Sequence, residues 1–134
     1  MATILKISEA ASLASHMMVI IATANGRLVT AKEGANQLIV SEAHMSKVMQ
    51  RLAKHGLVKS FRGPGGGFQL LDAPEKISLL QIYEAIDGPL TEETCLLDNK
   101  ACIRMNCIMG NMIDSINKQV RDYFTNTNLA MLIE

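Results

Sequence analysis

The chain has 134 residues, its basic and acidic side chains are equal in number, and 49% of its residues are hydrophobic. This composition excludes a disordered chain, and the length fits one domain or one domain with an appendage. Only five residues are aromatic, so a core must be built from aliphatic side chains and the nine methionines.

The charge is distributed unevenly along the chain. Residues 1–71 contain eight Lys and Arg against three Glu, whereas residues 72–134 contain five basic and ten acidic residues. A basic half joined to an acidic half is expected when only one half contacts a polyanion such as DNA.

The N-terminus superficially resembles a signal peptide, because Lys6 precedes an apolar run at Met17–Ala24. Glu9 and His16 interrupt this pattern, and the apolar positions follow a helical period instead. No apolar run approaches the roughly 20 residues of a membrane span. We therefore expect a cytoplasmic protein without a membrane partner, in which three cysteines stay reduced and form no disulfide framework.

Two helices are predicted in the first forty residues. Ser8 is a suitable N-cap for a helix that runs to about Thr23. Thr30 and Glu33 have the spacing of a capping box, in which each side chain accepts a backbone hydrogen bond. This box predicts a short second helix that ends near Leu38.

A third helix and a hairpin follow. Ser41 can cap a helix that Gly56 ends. Leu57–Phe61 and Phe68–Leu71 are β-type runs, and a glycine-rich turn joins them. Two helices with a short connection predict a helix-turn-helix, and the hairpin predicts its wing.

The third helix and the hairpin contain the residues that we expect to contact DNA. The first turn of a recognition helix normally reaches base edges, and the candidates are Ser41, Ala43, His44, Ser46 and Lys47. The candidates for phosphate contacts, which position a protein without specifying sequence, are Lys32, Lys54 and Lys59. Arg62 lies at the base of a glycine tip that includes Gly65, which suits an arginine that enters a narrow minor groove. A purely structural hairpin is the alternative; a nucleotide-binding loop is rejected because a strand, and no helix, follows the glycines.

The second half is predicted to contain one short and one long helix. Ser78 and Gln81 form a capping box for a helix through Ile86. Residues 90–106 have no clear period, and a helix is expected from Cys107 to about Phe124. Its apolar stripe comprises Met109, Met112, Ile113, Ile116, Val120 and Tyr123, and such a strip on a monomer invites pairing.

The predicted fold is mostly α with a small β-hairpin wing. Residues 1–88 are expected to form a winged helix-turn-helix DNA-binding domain, and 89–106 a cysteine-bearing loop. Residues 107–134 are expected to form a dimerisation helix and a C-terminal tail.

Three cysteines, Cys95, Cys102 and Cys107, have the spacing C-x6-C-x4-C. Structural zinc usually takes a C-x-x-C pair and four ligands, whereas widely spaced thiolates with a fourth ligand from elsewhere suit an iron–sulfur cluster. Cluster binding, metal-free thiol sensing and zinc binding all remain open on the spacing alone.

Residues 56–70 read Gly-Leu-Val-x-Ser-x-Arg-Gly-Pro-Gly-Gly-Gly-Phe-x-Leu, and this motif resembles the Rrf2 family of bacterial winged-helix regulators. Residues 77–79 and 85–88 add to the resemblance, which covers essentially the whole chain. It implies a homodimer that is held by its long C-terminal helices and binds a partly palindromic double-stranded DNA operator. In cluster-binding members three cysteines before that helix hold a 2Fe–2S or 4Fe–4S cluster. Cys95, Cys102 and Cys107 match them in number and place.

Two features depart from the pattern of the cluster-binding members. Four residues separate Cys102 from Cys107, whereas the pattern of the cluster-binding members has five residues in this gap. The regulators of iron–sulfur biogenesis take a histidine three residues beyond the third cysteine, where this chain has Gly110. Members that sense nitric oxide instead use an acidic residue at the start of the first helix of the other subunit, and here that residue is Glu9.

We therefore expect a sequence-specific transcriptional regulator that senses redox state, nitric oxide or iron–sulfur status through a cluster bound by the three cysteines and Glu9. One alternative is a metal-free regulator of the same fold, controlled by thiol oxidation or a partner protein. Another is a zinc-stabilised protein-interaction module. An enzyme is not expected, because no nucleophile–base pair or cofactor loop is evident.

Overall fold

The structure, a computed structural model, describes residues 6–91 and 106–133. It is mostly helical with one two-stranded antiparallel hairpin, as the sequence predicted. The helices and strands are α1 (Glu9–Thr23), α2 (Ala31–Leu38), α3 (Glu42–Lys54), β1 (Val58–Phe61), β2 (Gly67–Leu70), α4 (Leu79–Asp87) and α5 (Met112–Asn126). Short 3₁₀ turns lie at Pro74–Lys76 and Leu129–Leu132.

Serine side chains cap the beginnings of three helices. The Oγ atoms of Ser8 and Ser41 accept hydrogen bonds from the backbone N–H three residues later, at 3.0 and 3.1 Å. Ser78 and Gln81 form both halves of a capping box, at 3.2 and 2.8 Å. Each cap satisfies backbone donors that have no partner inside the helix, so these local predictions are confirmed.

The predicted capping box at α2 is only half formed. Thr30 accepts from the Glu33 N–H at 3.0 Å. The Glu33 carboxylate, however, accepts two hydrogen bonds from Arg27, at 2.9 and 3.2 Å. A bidentate, charge-assisted pair is stronger than a bond to a neutral backbone donor, so the expected reciprocal bond was wrong.

The core surrounds α1, which packs against α2, α3, α4 and β2. Methionines supply much of it, and the largest fully buried side chains are Met17, Met18, Met45, Met49, Leu52, Ile77, Ile82, Leu129, Val29 and Val58. Helix α2 approaches α1 closely at Gly34, where a Cβ would lie 2.2 Å from the Met17 sulfur. This packing fixes the position of α3, which follows α2 directly.

The hairpin pairs Val58 with Leu70 and Phe61 with Gly67. A third piece of chain extends it, because Val29 donates to the Phe68 carbonyl at 3.0 Å and accepts from the Phe68 N–H at 2.8 Å. The wing is therefore attached to the connection between α1 and α2.

Helix α5 begins at Met112 and not at Cys107, so the predicted start was wrong. Gly110 has φ +58° and closes a turn to the Cys107 carbonyl at 3.0 Å, and this conformation cannot continue a helix. No residue of α5 is buried, whereas Leu129 just beyond it is fully buried. None of the helices in the described ranges is both long and apolar enough to span a bilayer.

Candidate nucleic-acid interface

Helix α3 has a buried face and a basic face. Met45, Val48, Met49 and Leu52 are buried against the core. The basic face lines a shallow depression of about 380 Å³ and consists of Lys47, Gln50, Arg51 and Lys54. Residues spaced by three, four and seven share one side of a helix. The same spacing, applied to polar residues in the sequence, would have added Gln50 to the candidates for DNA contact.

The first turn of α3 offers fewer free groups than its sequence suggested. Ser41 and Ala43 are exposed, but His44 and Ser46 are partly buried. The Ser41 oxygen already accepts from the His44 N–H, so toward a base its hydroxyl serves best as a donor. Glu42, which we did not predict as a contact, is exposed beside them and can accept from a cytosine amino group.

The basic residues of α3 differ in their surroundings. The side chains of Lys47 and Lys54 are exposed and have no ion pair among the described residues. The Arg51 guanidinium instead donates to the backbone carbonyl of Ile86 in α4. The sequence indicated a basic side of α3 but not this contact, which depends on how α3 and α4 pack.

The tip of the wing presents one arginine and little bulk. Arg62 is exposed and no described residue forms an ion pair with it. Gly63 and Gly65 have φ +85° and +78°, and the Gly66 N–H donates to the Gly63 carbonyl at 2.9 Å. The turn therefore needs glycine and leaves space around the arginine.

Lys59 lies in β1, where it pairs with Gln69 of β2. Its ammonium is 5.1 Å from the centroid of the Phe61 ring, within the range of a cation–π contact. This contact holds the lysine on the exposed surface of β1, where the sequence placed a phosphate-contacting residue. Lys32 in α2 is also exposed.

Two of the four predicted metal ligands are described. Cys107 is exposed just before α5, and its sulfur accepts a hydrogen bond from the Met109 N–H at 3.4 Å. Glu9 is exposed in the first turn of α1, and its carboxylate has no hydrogen bond or ion pair among the described residues. Cys95 and Cys102 lie outside the described residues. Within 6–91 and 106–133 no three His, Cys, Asp or Glu side chains form a group that could hold a metal.

A helix-turn-helix with a hairpin wing and basic side chains on both elements defines a winged-helix, DNA-binding transcriptional regulator. Residues 7–134 match the Rrf2 family, which is described as "Iron-dependent Transcriptional regulator". The chain belongs to the Rrf2 family, as its motifs predicted.

Relatives and solved structures agree with this assignment. A protein of Aquifex aeolicus, named as an HTH-type transcriptional regulator, is 34% identical over 110 residues, which cover 80% of this chain and 76% of that protein. The structure of CymR, the global cysteine regulator of B. subtilis, is similar with a TM-score of 0.80 and 26% identity over 96% of both chains. The structure of T. potens IscR has a TM-score of 0.71 and 25% identity, and the match covers 96% of this chain and 86% of that one. The first two of these proteins are named as regulators.

Proposed function

We propose that this protein is a cytoplasmic, homodimeric regulator whose affinity for a partly palindromic operator changes when an iron–sulfur cluster in its cysteine-bearing segment is altered. The observation that carries the proposal is the position of Cys107. It is an exposed thiol with a backbone N–H directed at its sulfur, and it lies directly before a helix whose apolar side is not buried. Detector and dimer contact are thereby adjacent in the chain.

The DNA-binding surface in this proposal combines α3 and the wing. Arg62 of the wing, beside the glycine tip that includes Gly65, enters the minor groove. The residues that read base edges in the adjacent major groove are Ser41, Ala43, His44, Ser46 and Lys47. Lys54 and Lys59 contact phosphates. The exposure of these cations, and the lack of ion pairs at Lys47, Lys54 and Arg62 among the described residues, support their availability for contacts with DNA.

The dimer contact in this proposal is the apolar stripe of α5. Met112 and Tyr123 are 50% and 57% exposed, and Ile113, Ile116 and Val120 are only partly buried. An amphipathic helix that leaves its apolar side uncovered gains stability when a second copy covers it. A twofold dimer would also match the symmetry of a palindromic operator.

The donor set fits a cluster. Thiolates bind iron–sulfur clusters, and hydrogen bonds from N–H groups to the ligand sulfurs tune the reduction potential of a cluster. The carboxylate of Glu9 forms no hydrogen bond or ion pair within the described part of its own chain, so it is available to a second subunit. Glu9 of the partner subunit can therefore complete the ligand set of Cys95, Cys102 and Cys107. A bound cluster would supply redox or nitric-oxide chemistry, and the weaker carboxylate ligand would be the exchangeable one.

A visible spectrum of the anaerobically purified protein tests the proposal. We expect a charge-transfer absorption that disappears in Cys107→Ser and persists in the adjacent control Asn106→Ser. Glu9→Ala should keep the dimer but change the spectrum or speed the loss of cluster under nitric oxide. A colourless protein with one zinc per chain would contradict the proposal, as would a coloured protein that Cys107→Ser leaves unchanged.

A metal-free thiol regulator is the second candidate, and the exposed Cys107 thiol favours it. For this candidate, the purified protein is colourless and free of zinc, and peroxide changes its operator affinity reversibly. Cys107→Ser would then abolish the response to peroxide while Asn106→Ser would retain it.

A further inference from the structure

The segment that joins α4 to the cysteine-bearing part of the chain contacts three other helices. We call its residues, Ile86–Leu90, the α4 junction. Side chains from three different elements bond to it: Arg51 of α3, Ser8 at the start of α1, and Arg121 of α5. The end of α4 is thus linked to the DNA-facing helix and to the first helix, and Leu90, just beyond it, is linked to the proposed dimer helix.

The contact from α3 is the guanidinium of Arg51 on the Ile86 carbonyl. This carbonyl lies in the last turn of α4, where carbonyls have no partner inside the helix. A cation there is also favoured by the helix dipole. Arg51 shares the basic face of α3 with Lys47 and Lys54. The Arg51 side chain therefore lies on the proposed DNA-facing side of α3 and also forms a hydrogen bond to the α4 junction.

The contact from α1 is made by both polar groups of Ser8. Its Oγ donates to Asp87 Oδ1 at 2.6 Å, and its backbone N–H donates to Asp87 Oδ2 at 3.2 Å. The next residue is Glu9, the proposed fourth ligand. Asp87 therefore fixes the α4 junction to the end of α1 that the proposed cluster would bind.

We propose that Arg51 is a positioning residue for DNA recognition, which ties the recognition helix to the α4 junction and so transmits a shift of that junction to α3. The inference rests on the proposed function for what shifts the α4 junction, namely a change at the cluster. The connection of the junction to α3 through Arg51 does not depend on that function. If Asp87 is released, the junction shifts and Arg51 moves α3 with it. Without the arginine the same shift does not reach α3.

A double-mutant cycle on cluster-free protein tests the link. The probe is the duplex that the wild-type protein selects from a random-sequence pool, and its dissociation constant is measured at fixed salt. Asp87→Ala is introduced into the wild type, into Arg51→Met and into Lys47→Met. The last background is the matched control, because it removes one cation from the same face of α3 without touching the α4 junction.

We expect Asp87→Ala to change the dissociation constant by about three- to tenfold in the wild-type and Lys47→Met backgrounds, and by less than about twofold in Arg51→Met. Asp122→Ala, which removes an acid from α5, corrects for the change in charge. Equal fold-changes in all three backgrounds, or no change in any of them, would overturn the inference. If Asp87→Ala does not fold, Ser8→Ala removes the shorter, side-chain bond to Asp87 without altering the charge and completes the cycle.

A second comparison separates this inference from the proposed function. The ratio of operator affinities with and without cluster is measured for the wild type and for Arg51→Met. A wild-type ratio of one contradicts the proposed function and leaves the cycle to decide on Arg51. A wild-type ratio that differs from one in either direction and persists in Arg51→Met contradicts the inference alone.

Discussion

Val29 and Phe68 exchange two backbone hydrogen bonds, and these bonds hold the wing on the body of the domain. The close approach depends on Gly67, which has φ +151° and where a Cβ would lie 2.9 Å from the Val29 carbonyl oxygen. A backbone oxygen cannot move aside as a flexible side chain can. The orientation of the wing relative to α3 therefore depends on a residue outside the proposed set of DNA contacts.

We predict that Gly67→Ala destabilises the fold by about 3 kcal/mol or more, because a strained backbone and a steric clash add together. Gly56→Ala is the matched control. Gly56 also has a positive φ, +76°, but a Cβ there meets nothing within 4 Å, so only the strain of about 1–2 kcal/mol remains. Urea denaturation of the two variants measures the difference. Equal losses of unfolding free energy would show that the close approach to Val29 does not add to the cost of a Cβ at position 67.

The ion pair between Arg27 and Glu33 predicts a pH dependence of stability. The hydrogen bonds from the Arg27 guanidinium, with a contribution from its charge, lower the pKa of Glu33 below its ordinary 4.5. A lowered pKa in the folded state stabilises the fold above pH 4.5, and this contribution is lost as the pH falls through the lowered value. Glu33→Gln should therefore be less stable than wild type at pH 7.

The difference in unfolding free energy between wild type and Glu33→Gln should shrink steadily below pH 4.5. Arg27→Gln removes the same ion pair by changing the other partner, so its loss of unfolding free energy should have the same pH dependence. The double variant should lose little more than either single one. Losses that add, or that do not change with pH, would show that the pair does not contribute.

Local sequence signals predicted the beginnings of helices and the wing correctly, because caps and glycine turns act over three to six residues. The caps Ser8, Ser41 and Ser78 and the hairpin needed no knowledge of the packing. The start of α5 was predicted five residues too early. The apolar spacing from Met109 continued the helical period, although Gly110 interrupts the helix.

The contacts that organise the site could not be predicted in the same way. Glu33 had the spacing of a capping residue, but a competing arginine six residues earlier takes its carboxylate. The bond from Arg51 to Ile86 joins residues 35 positions apart and exists only because α3 packs on α4. Single-sequence patterns show which residues are basic or apolar, whereas the choice between solvent, DNA and another helix depends on packing.

Arg62 and Lys54 should affect DNA binding differently. Arg62→Ala removes the proposed minor-groove cation and should weaken binding to the selected operator by about 1–3 kcal/mol. Lys54→Ala removes a phosphate contact, so operator and scrambled duplexes should be weakened alike, and the salt dependence of binding should fall by about one counterion. Titrations of both variants against both duplexes check this, and unchanged operator affinity for Arg62→Ala would contradict the role of the wing.

Ile116→Glu should dissociate the proposed dimer. A charge in the middle of the apolar stripe costs several kcal/mol when it is buried, which corresponds to a rise in the dimer dissociation constant of about a hundredfold or more. Thr125→Glu adds the same charge on the opposite, exposed side of α5 and should leave the dimer intact. Sedimentation of both variants measures this, and an Ile116→Glu dimer would place the interface elsewhere.

Ile39 carries a conformational cost that a substitution should remove. It lies between α2 and α3 with φ +56° and ψ +53°, and its side chain is 90% exposed. A left-handed conformation costs about 1–2 kcal/mol for an ordinary residue, whereas glycine adopts it freely but loses about 0.5–1 kcal/mol through its greater freedom in the unfolded chain. Because little burial is lost, Ile39→Gly should raise the unfolding free energy by up to about 1 kcal/mol. Ile39→Val keeps the β-branch and should gain nothing, so an equal gain in both variants, measured by urea denaturation, would show that the left-handed backbone is not the cause.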